Sequence, residues 1–285
     1  MSIQLASIHL DGHETAAVVT RGGVVSVEEG NATWATDFPT ELLALIGSSR
    51  LDRLEELATA VVPELVRPVA HVRFAPPYRR PGKVWGIGLN YREHARDLDE
   101  DVPAQPASFM KPATAVIGPG ETIELPETAA RVTAEAELGV VIGRRCRDAS
   151  ASDAEQAVLG FTSIIDMTAE DILRQNPRYL TRSKSFDTFF SFGPVIVLRE
   201  EVADVSQLVV RTVVNSEVRA ENTVANMTFS PYELVRFHSH GMTLEPGDII
   251  STGTPGAAVI APGDRVRCEI PGFLALENPV GLRSR

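Results

Sequence analysis

Apolar residues come in short runs along most of this chain, cut at close intervals by glycine, proline and charged residues. Residues 3–8 and 17–27 are β-prone stretches broken by Asp11-Gly12 and Gly22-Gly23, which predicts a small meander of strands. Residues 37–46 and 51–62 are richer in Leu, Ala and Glu. In the second of these, Leu51, Leu54, Leu57, Ala58 and Val61 recur at helical spacing. Pro63, Pro68, Pro76, Pro77 and Pro81 then punctuate the chain, and residues 72–82 read as a connector. The pattern predicts a small N-terminal α+β domain over residues 1–75 and a larger one over 76–285.

The larger part is dominated by strands. Candidates are residues 83–88, 108–110, 137–142, 157–165, 194–198, 208–214 and 266–270, with Asn215-Ser216 as a hairpin turn. Helix starts are few. Ser152 with Glu155 forms one candidate capping box, and Ser230, Pro231 and Glu233 supply a cap, a first-turn proline and a reciprocal acid. Thr168 and Asp171 mark a weaker start. Uneven strands joined by turns, without regular alternation with helices, argue against a doubly wound sheet. The expected class is mainly β with short helices (α+β). Neither a Gly-x-Gly-x-x-Gly turn nor a phosphate loop ending in Lys-Ser or Lys-Thr is present, which removes nucleotide chemistry of those kinds.

Charge narrows the partners. The 27 Lys and Arg against 38 Asp and Glu give a net charge of −11, which disfavours a general electrostatic hold on nucleic acid or an anionic membrane. An apolar run of spanning length and a secretory leader pattern are both missing from the sequence, so the expected location is the cytoplasm. The two cysteines, Cys146 and Cys268, are too few for a disulfide scaffold or a four-cysteine zinc site.

The acids Glu135 and Glu137 stand out within a strand pattern. A period of two turns both to one face, where they repel unless a hard cation such as Mg²⁺ or Mn²⁺ lies between them. Asp166 follows the apolar residues 161–165. A solvent-facing pair of glutamates on an edge strand is the other reading. His94 and Asp97 share a face if their segment is helical, so the carboxylate can orient the imidazole for proton abstraction. An exposed helix with mixed charges has the same appearance. Lys184, ahead of the aromatic run 189–192, suits either an enolate oxygen or a solvated position. The turn Thr252-Gly253-Thr254-Pro255-Gly256 permits close backbone approach to a carboxylate, or is simply tight. His238 and His240 read as helix-end residues rather than metal ligands.

Several motifs in order resemble the fumarylacetoacetate hydrolase family, in its branch of small acylpyruvate hydrolases, oxaloacetate decarboxylases and isomerases of aromatic breakdown. They are Gly88-Leu89-Asn90-Tyr91 with His94, Lys111-Pro112, Glu135-x-Glu137-Leu138, Asp166-Met167-Thr168-Ala169, Lys184-Ser185-Phe186-Asp187, Gly193-Pro194, Leu244-Glu245-Pro246-Gly247-Asp248 and Thr252-Gly253-Thr254-Pro255. The resemblance spans roughly residues 81–280 and implies a mixed β roll assembled as a homodimer. It implies a Mg²⁺ or Mn²⁺ site with Glu135, Glu137 and Asp166 as ligands. His94, partnered by Asp97, matches a catalytic histidine on a lid segment, and Lys184 matches a lysine beside the substrate. Thr252, Gly253, Thr254 and Arg219 are the expected substrate contacts.

Two positions depart from the family pattern. Glu170 stands where many relatives have arginine, so that Arg174, Arg178 or Arg182 would have to supply positive charge, or the substrate is less anionic. After Arg219, Ala220 replaces a frequent glutamine. The implied activity is hydrolysis of a C–C bond in a small acylpyruvate-like 2,4-dioxo acid through a pyruvate enolate. The alternatives are decarboxylation of an oxaloacetate-type acid, or isomerase, hydratase or lyase chemistry on a related 2-oxo or 2-hydroxy acid.

Overall fold

A computed structural model describes residues 3–53, 63–93 and 103–283. Its strands begin with β1 (Gln4–Leu10), β2 (His13–Thr20), β3 (Gly23–Ser26), β4 (Phe74–Ala75), β5 (Val84–Gly88) and β6 (Ala107–Lys111). They continue with β7 (Val116–Ile117), β8 (Ile123–Leu125), β9 (Val132–Ile142), β10 (Val158–Ala169), β11 (Phe190–Leu198) and β12 (Val209–Val214). The last are β13 (Glu217–Thr223), β14 (Ile249–Ser251), β15 (Ala257–Ile260), β16 (Arg265–Glu269) and β17 (Leu276–Leu282). Short helices lie between them: α1 (Val27–Trp34), α2 (Leu42–Ile46), α3 (Ala151–Ala157), α4 (Glu170–Gln175), α5 (Leu180–Lys184) and α6 (Pro231–Gly241).

Among the described residues the strands form two sheets. The larger runs β3-β2-β1-β11-β10-β9-β14-β5-β6, with β15, β4 and β7 attached at its sides; the smaller runs β13-β12-β16-β17-β8. Strand β9 shows why they pack. Its Ala134, Ala136, Leu138, Val140 and Ile142 form one apolar row, buried against Val266, Cys268 and Leu276 of the smaller sheet. The opposite row carries Thr133, Glu135, Glu137 and Val141, and Val141 joins Ile164, Phe190 and Phe192 in a second core. Polar groups in that row are thus enclosed by packed sheet on their flanks. The architecture is mainly β, as the sequence pattern predicts.

The strands of the N-terminal segment continue the larger sheet. Leu5 pairs with Ile196 and Ala6 with Val195, joining β1 to β11 in antiparallel register. Predicted residues 54–62 lie outside the described part; residues 51–53 form a single 3₁₀ turn.

Of the three predicted helix starts, one forms as expected, one is displaced and one does not form. Ser230 caps α6 and accepts from Glu233 N–H, and Glu233 returns the bond, as the motif requires. The cap of α3 is Ser150 with Asp153, not Ser152 with Glu155, because two overlapping Ser-x-x-acid frames compete there and Ser152 falls inside the first turn. Helix α4 starts at Glu170 without a side-chain cap, so Thr168 does not start it. Thr168 stays in β10. Asn215 and Ser216 take φ of +51° and +70°, the two left-handed positions of a tight hairpin between Val214 and Glu217. Ser150→Ala is expected to cost about 1 kcal/mol in chemical denaturation, whereas Ser152→Ala stays within about 0.5 kcal/mol.

Candidate metal centre

Register brings the acids together. Asp166 lies directly opposite Glu135 across the β9–β10 pair, and Glu137 is two residues along the same face. One oxygen from each of Glu135, Glu137 and Asp166 lies within 4.8 Å of the others. Glu137 and Asp166 are buried, Glu135 partly so. Each carboxylate is fixed by neighbours. Ser251 donates its hydroxyl to Glu137 Oε2 at 2.5 Å and the Gly253 N–H donates to the same oxygen at 2.7 Å. The Thr168 hydroxyl donates to Glu135 Oε1 at 2.8 Å.

Two lysines enter the same cluster. Lys184 Nζ donates to Glu135 Oε2 at 2.9 Å and to Asp166 Oδ2 at 2.8 Å. Lys111 Nζ donates to Asp166 Oδ1 and, at 3.2 Å, to the Met167 carbonyl. The Phe109 ring centroid lies 4.9 Å from Lys184 Nζ. That ring lies over Gly86, where an added Cβ would come within 2.2 Å of it. A side chain at position 86 would therefore move the aromatic surface that backs the ammonium.

Burial pushes the Glu137 carboxyl up to about 8, with Asp166 and Glu135 adding repulsion and Lys184 opposing. Burial and the neighbouring Lys184 bring the Lys111 ammonium down to about 8 against the pull of Asp166. Burial also works against the charge of Lys184, but Asp166, Glu135 and Glu137 outweigh it and raise its pKa. At neutral pH Glu137 therefore holds a proton in the metal-free protein.

This donor set fits a hard divalent cation. An octahedral Mg²⁺ or Mn²⁺ with oxygen ligands at about 2.1 Å spaces its ligands about 3 to 4 Å apart, within the reach of three carboxylates already this close. Glu137 Oε1 takes none of the bonds described above, and the oxygens of Glu135 and Asp166 each keep a lone pair beyond theirs. A cation would replace the Glu137 proton. Mn²⁺ binding at pH 7 is expected to release about one proton, and affinity to rise up to about tenfold per pH unit between 6 and 8. Calorimetry in two buffers of different ionisation enthalpy measures this; zero release would place the ion elsewhere. The folded-state pKa is raised, so the folded protein takes up the proton, and metal-free stability falls as pH climbs from about 5 towards 8.

The other predicted residues are distributed unevenly. Gly253, at φ +98°, uses its amide on Glu137, so it acts here as a positioning group for that carboxylate. Thr252 donates its hydroxyl to Leu138 O and Thr254 to Gly256 O; both are buried. Arg219 lies on β13, half-exposed and paired with Glu217 at 2.9 Å. His94 and Asp97 lie outside the described residues. The segment that leads to them is anchored by Asn90, which donates to Thr252 O at 2.7 Å and Phe229 O at 3.0 Å and accepts from Phe229 N–H at 2.9 Å. Glu170 is not a lone negative charge: it pairs with Arg131 and with Arg174, the latter at 2.6 Å. Lys111 and Asn90 were not singled out as site residues. The available signal for Lys111 was a cation within an otherwise apolar Phe109-Met110-Lys111-Pro112 run.

The sequence model of the fumarylacetoacetate (FAA) hydrolase C-terminal family matches residues 83–281. The chain belongs to this family. Among curated relatives of this FAA hydrolase family member, the mitochondrial oxaloacetate tautomerase FAHD2A of Bos taurus is 35% identical over 290 residues, covering 98% of this chain and 90% of the relative. The solved 5-carboxymethyl-2-hydroxymuconate delta-isomerase of Mycobacterium smegmatis is 32% identical with a TM-score of 0.77, covering 99% and 100% of the two chains. The maleylpyruvate hydrolase of Sphingobium sp. SYK-6, solved with manganese(II) and pyruvate, is 28% identical with a TM-score of 0.81 over 99% and 100%. Family members of these kinds are enzymes acting on small organic acids. Among the described residues no helix is long and apolar enough to cross a membrane.

Proposed function

We propose that this protein is a Mg²⁺- or Mn²⁺-dependent enzyme that generates the enolate of a small 2-oxo acid, and that its reaction is C–C bond hydrolysis of an acylpyruvate-like 2,4-dioxo acid. The observation that carries this reading is the convergence of Glu135, Glu137 and Asp166 within 4.8 Å beside the Lys184 ammonium. A cation held by the three acids supplies Lewis-acid polarisation of the 2-oxo group. Lys184, fixed by two carboxylates, aims a positive donor at an oxygen that gains charge. His94, oriented by Asp97, takes a proton from the water that attacks the distal carbonyl. The carbon–carbon bond then breaks towards the pyruvate enolate, whose oxygen faces Lys184, and the enolate carbon takes the proton from His94 to give pyruvate.

Substrate length follows from Glu170. Arg131 and Glu170 flank the last paired rung of the same two strands, Val132 opposite Ala169. With Arg174 and with Asp171, whose Oδ2 accepts from the Ala130 N–H, the charges at that end balance. This favours a substrate whose distal end is uncharged. The homodimer and the cytoplasmic location expected from sequence stand as part of the same proposal.

A second reading is proton transfer without bond cleavage, favoured by the tautomerase and isomerase among the relatives that match nearly the whole chain. Both reactions need the same enolate. Mn²⁺-loaded enzyme given acylpyruvates, oxaloacetate and hydroxydienoates, with product mass and deuterium uptake from D₂O recorded, separates them. Pyruvate from an acylpyruvate supports hydrolysis. Deuterium uptake or enol loss without pyruvate selects the second reading. Neither, with any of the acids, overturns both.

A further inference from the structure

A second chemical constellation lies on the other face of the same edge of the larger sheet. Strands β5 and β6 pair with Gly86 opposite Phe109 and Ile87 opposite Ser108. Phe109 and Lys111 point to the carboxylate cluster, so alternation turns Ser108 and Trp85 away from it. They face a pocket of about 830 Å³ between β5, β6 and α6, lined by Trp85, Pro106, Phe229, Phe237, His238 and Met242 among others.

Ser108 Oγ lies 2.7 Å from His238 Nε2, and His238 Nδ1 lies 2.7 Å from the Leu234 carbonyl oxygen. A carbonyl only accepts, so Nδ1 carries the ring proton and Nε2 presents its lone pair. Ser108 is therefore the donor in the shorter of its two contacts; its Oγ also lies 3.2 Å from Pro106 O. His238 is 4% exposed, stacked near Trp85 with ring centroids 4.6 Å apart, and burial lowers its pKa so that the ring stays neutral. The Trp85 indole N–H has no hydrogen-bond partner. Ser108 and His238, a nucleophile and a base in the right tautomer, thus border one pocket, and the Leu234 carbonyl behind them orients the base.

From this geometry we infer that Ser108 and His238 form a second, metal-independent site that takes carboxylic esters with an apolar acyl group. Ser108 Oγ attacks the ester carbonyl carbon as its proton passes to His238 Nε2. The bond from that carbon to the alcohol oxygen breaks, and the leaving alcohol takes the proton from Nε2. Water then attacks the acyl-serine, giving one proton to Nε2, and the carbon–Oγ bond breaks. Oγ recovers the proton and the carboxylic acid departs. The walls formed by Phe229, Phe237 and Met242 suit the acyl chain.

The full chain, in EDTA, is treated with a fluorophosphonate probe and, separately, with p-nitrophenyl butyrate. The expected result is one adduct mapped to Ser108, and ester hydrolysis that falls at least tenfold in Ser108→Ala. Labelling should fall at least tenfold in His238→Gln, and should vanish when the wild type is unfolded in urea, which tests activation by the fold without any substitution. Glu137→Gln should label like wild type, separating this site from the carboxylate cluster. No adduct on Ser108, equal labelling in native and urea-unfolded protein, or equal ester hydrolysis by wild type and Ser108→Ala would overturn the inference.

Discussion

Replacing Glu137 with glutamine is expected to weaken Mn²⁺ binding at least about 100-fold, near 3 kcal/mol, while the metal-free protein keeps its fold. Two features of the site lead there. The oxygen of Glu137 that receives the Ser251 hydroxyl and the Gly253 amide has a direct counterpart in the glutamine carbonyl. The carboxyl is also pushed up to about 8, so at pH 7 the neutral amide replaces a group that is mostly neutral already. What the amide lacks is a proton to exchange for a cation. Activity on any 2-oxo acid should fall at least about 1,000-fold, and Tm at pH 7 should move by only a few degrees. Titration calorimetry and thermal melts on the same sample give both numbers. Unchanged Mn²⁺ affinity would remove this carboxylate from the ligand set.

Lys184→Met is expected to act in the opposite sense on the metal and the same sense on the reaction. Methionine keeps an unbranched stem but deletes the ammonium that lies over Phe109 and is shared by Glu135 and Asp166. Loss of one positive donor from the site where charge develops should lower kcat about 100- to 1,000-fold. The cluster then holds one positive charge fewer, so Mn²⁺ should bind at least as tightly as to wild type. Without metal, buried Asp166 and partly buried Glu135 have lost a partner, a change that costs about 3 kcal/mol or more for a buried pair. The variant should therefore melt well below wild type in EDTA and recover much of the difference with Mn²⁺. A variant with wild-type kcat would deny Lys184 any contact with the reacting oxygen.

How much of this was legible follows from the range of each interaction. Glu135 and Glu137 share a face through the local period of a strand, which any reader of the sequence can count. That Asp166 sits opposite Glu135 depends on strand register between segments about thirty residues apart, and only packing sets it. Lys184 was readable as a cation near a substrate or as a solvated one; burial between two carboxylates distinguishes these, and burial is a tertiary property. Lys111 went unremarked as a site residue for the same reason. Ser230 announced its helix because Pro231 and Glu233 allow one frame, whereas Ser150 and Ser152 offered two. The charge at position 170 looked negative in sequence, yet Arg131, distant along the chain, pairs with it. His94 and Asp97 lie outside the described residues, so their roles rest on the motif.

The junction of β1 with β11 has a consequence for shortened versions of the protein. Deleting the first 75 residues would strip residues 195–197 of the strand on one side, leaving β10 on the other, and uncover Val195 and Val197, now fully or nearly buried. Such a fragment would present a sticky seam able to zip onto its own copies, so aggregation, rather than a smaller working enzyme, is what trimming at that point should yield.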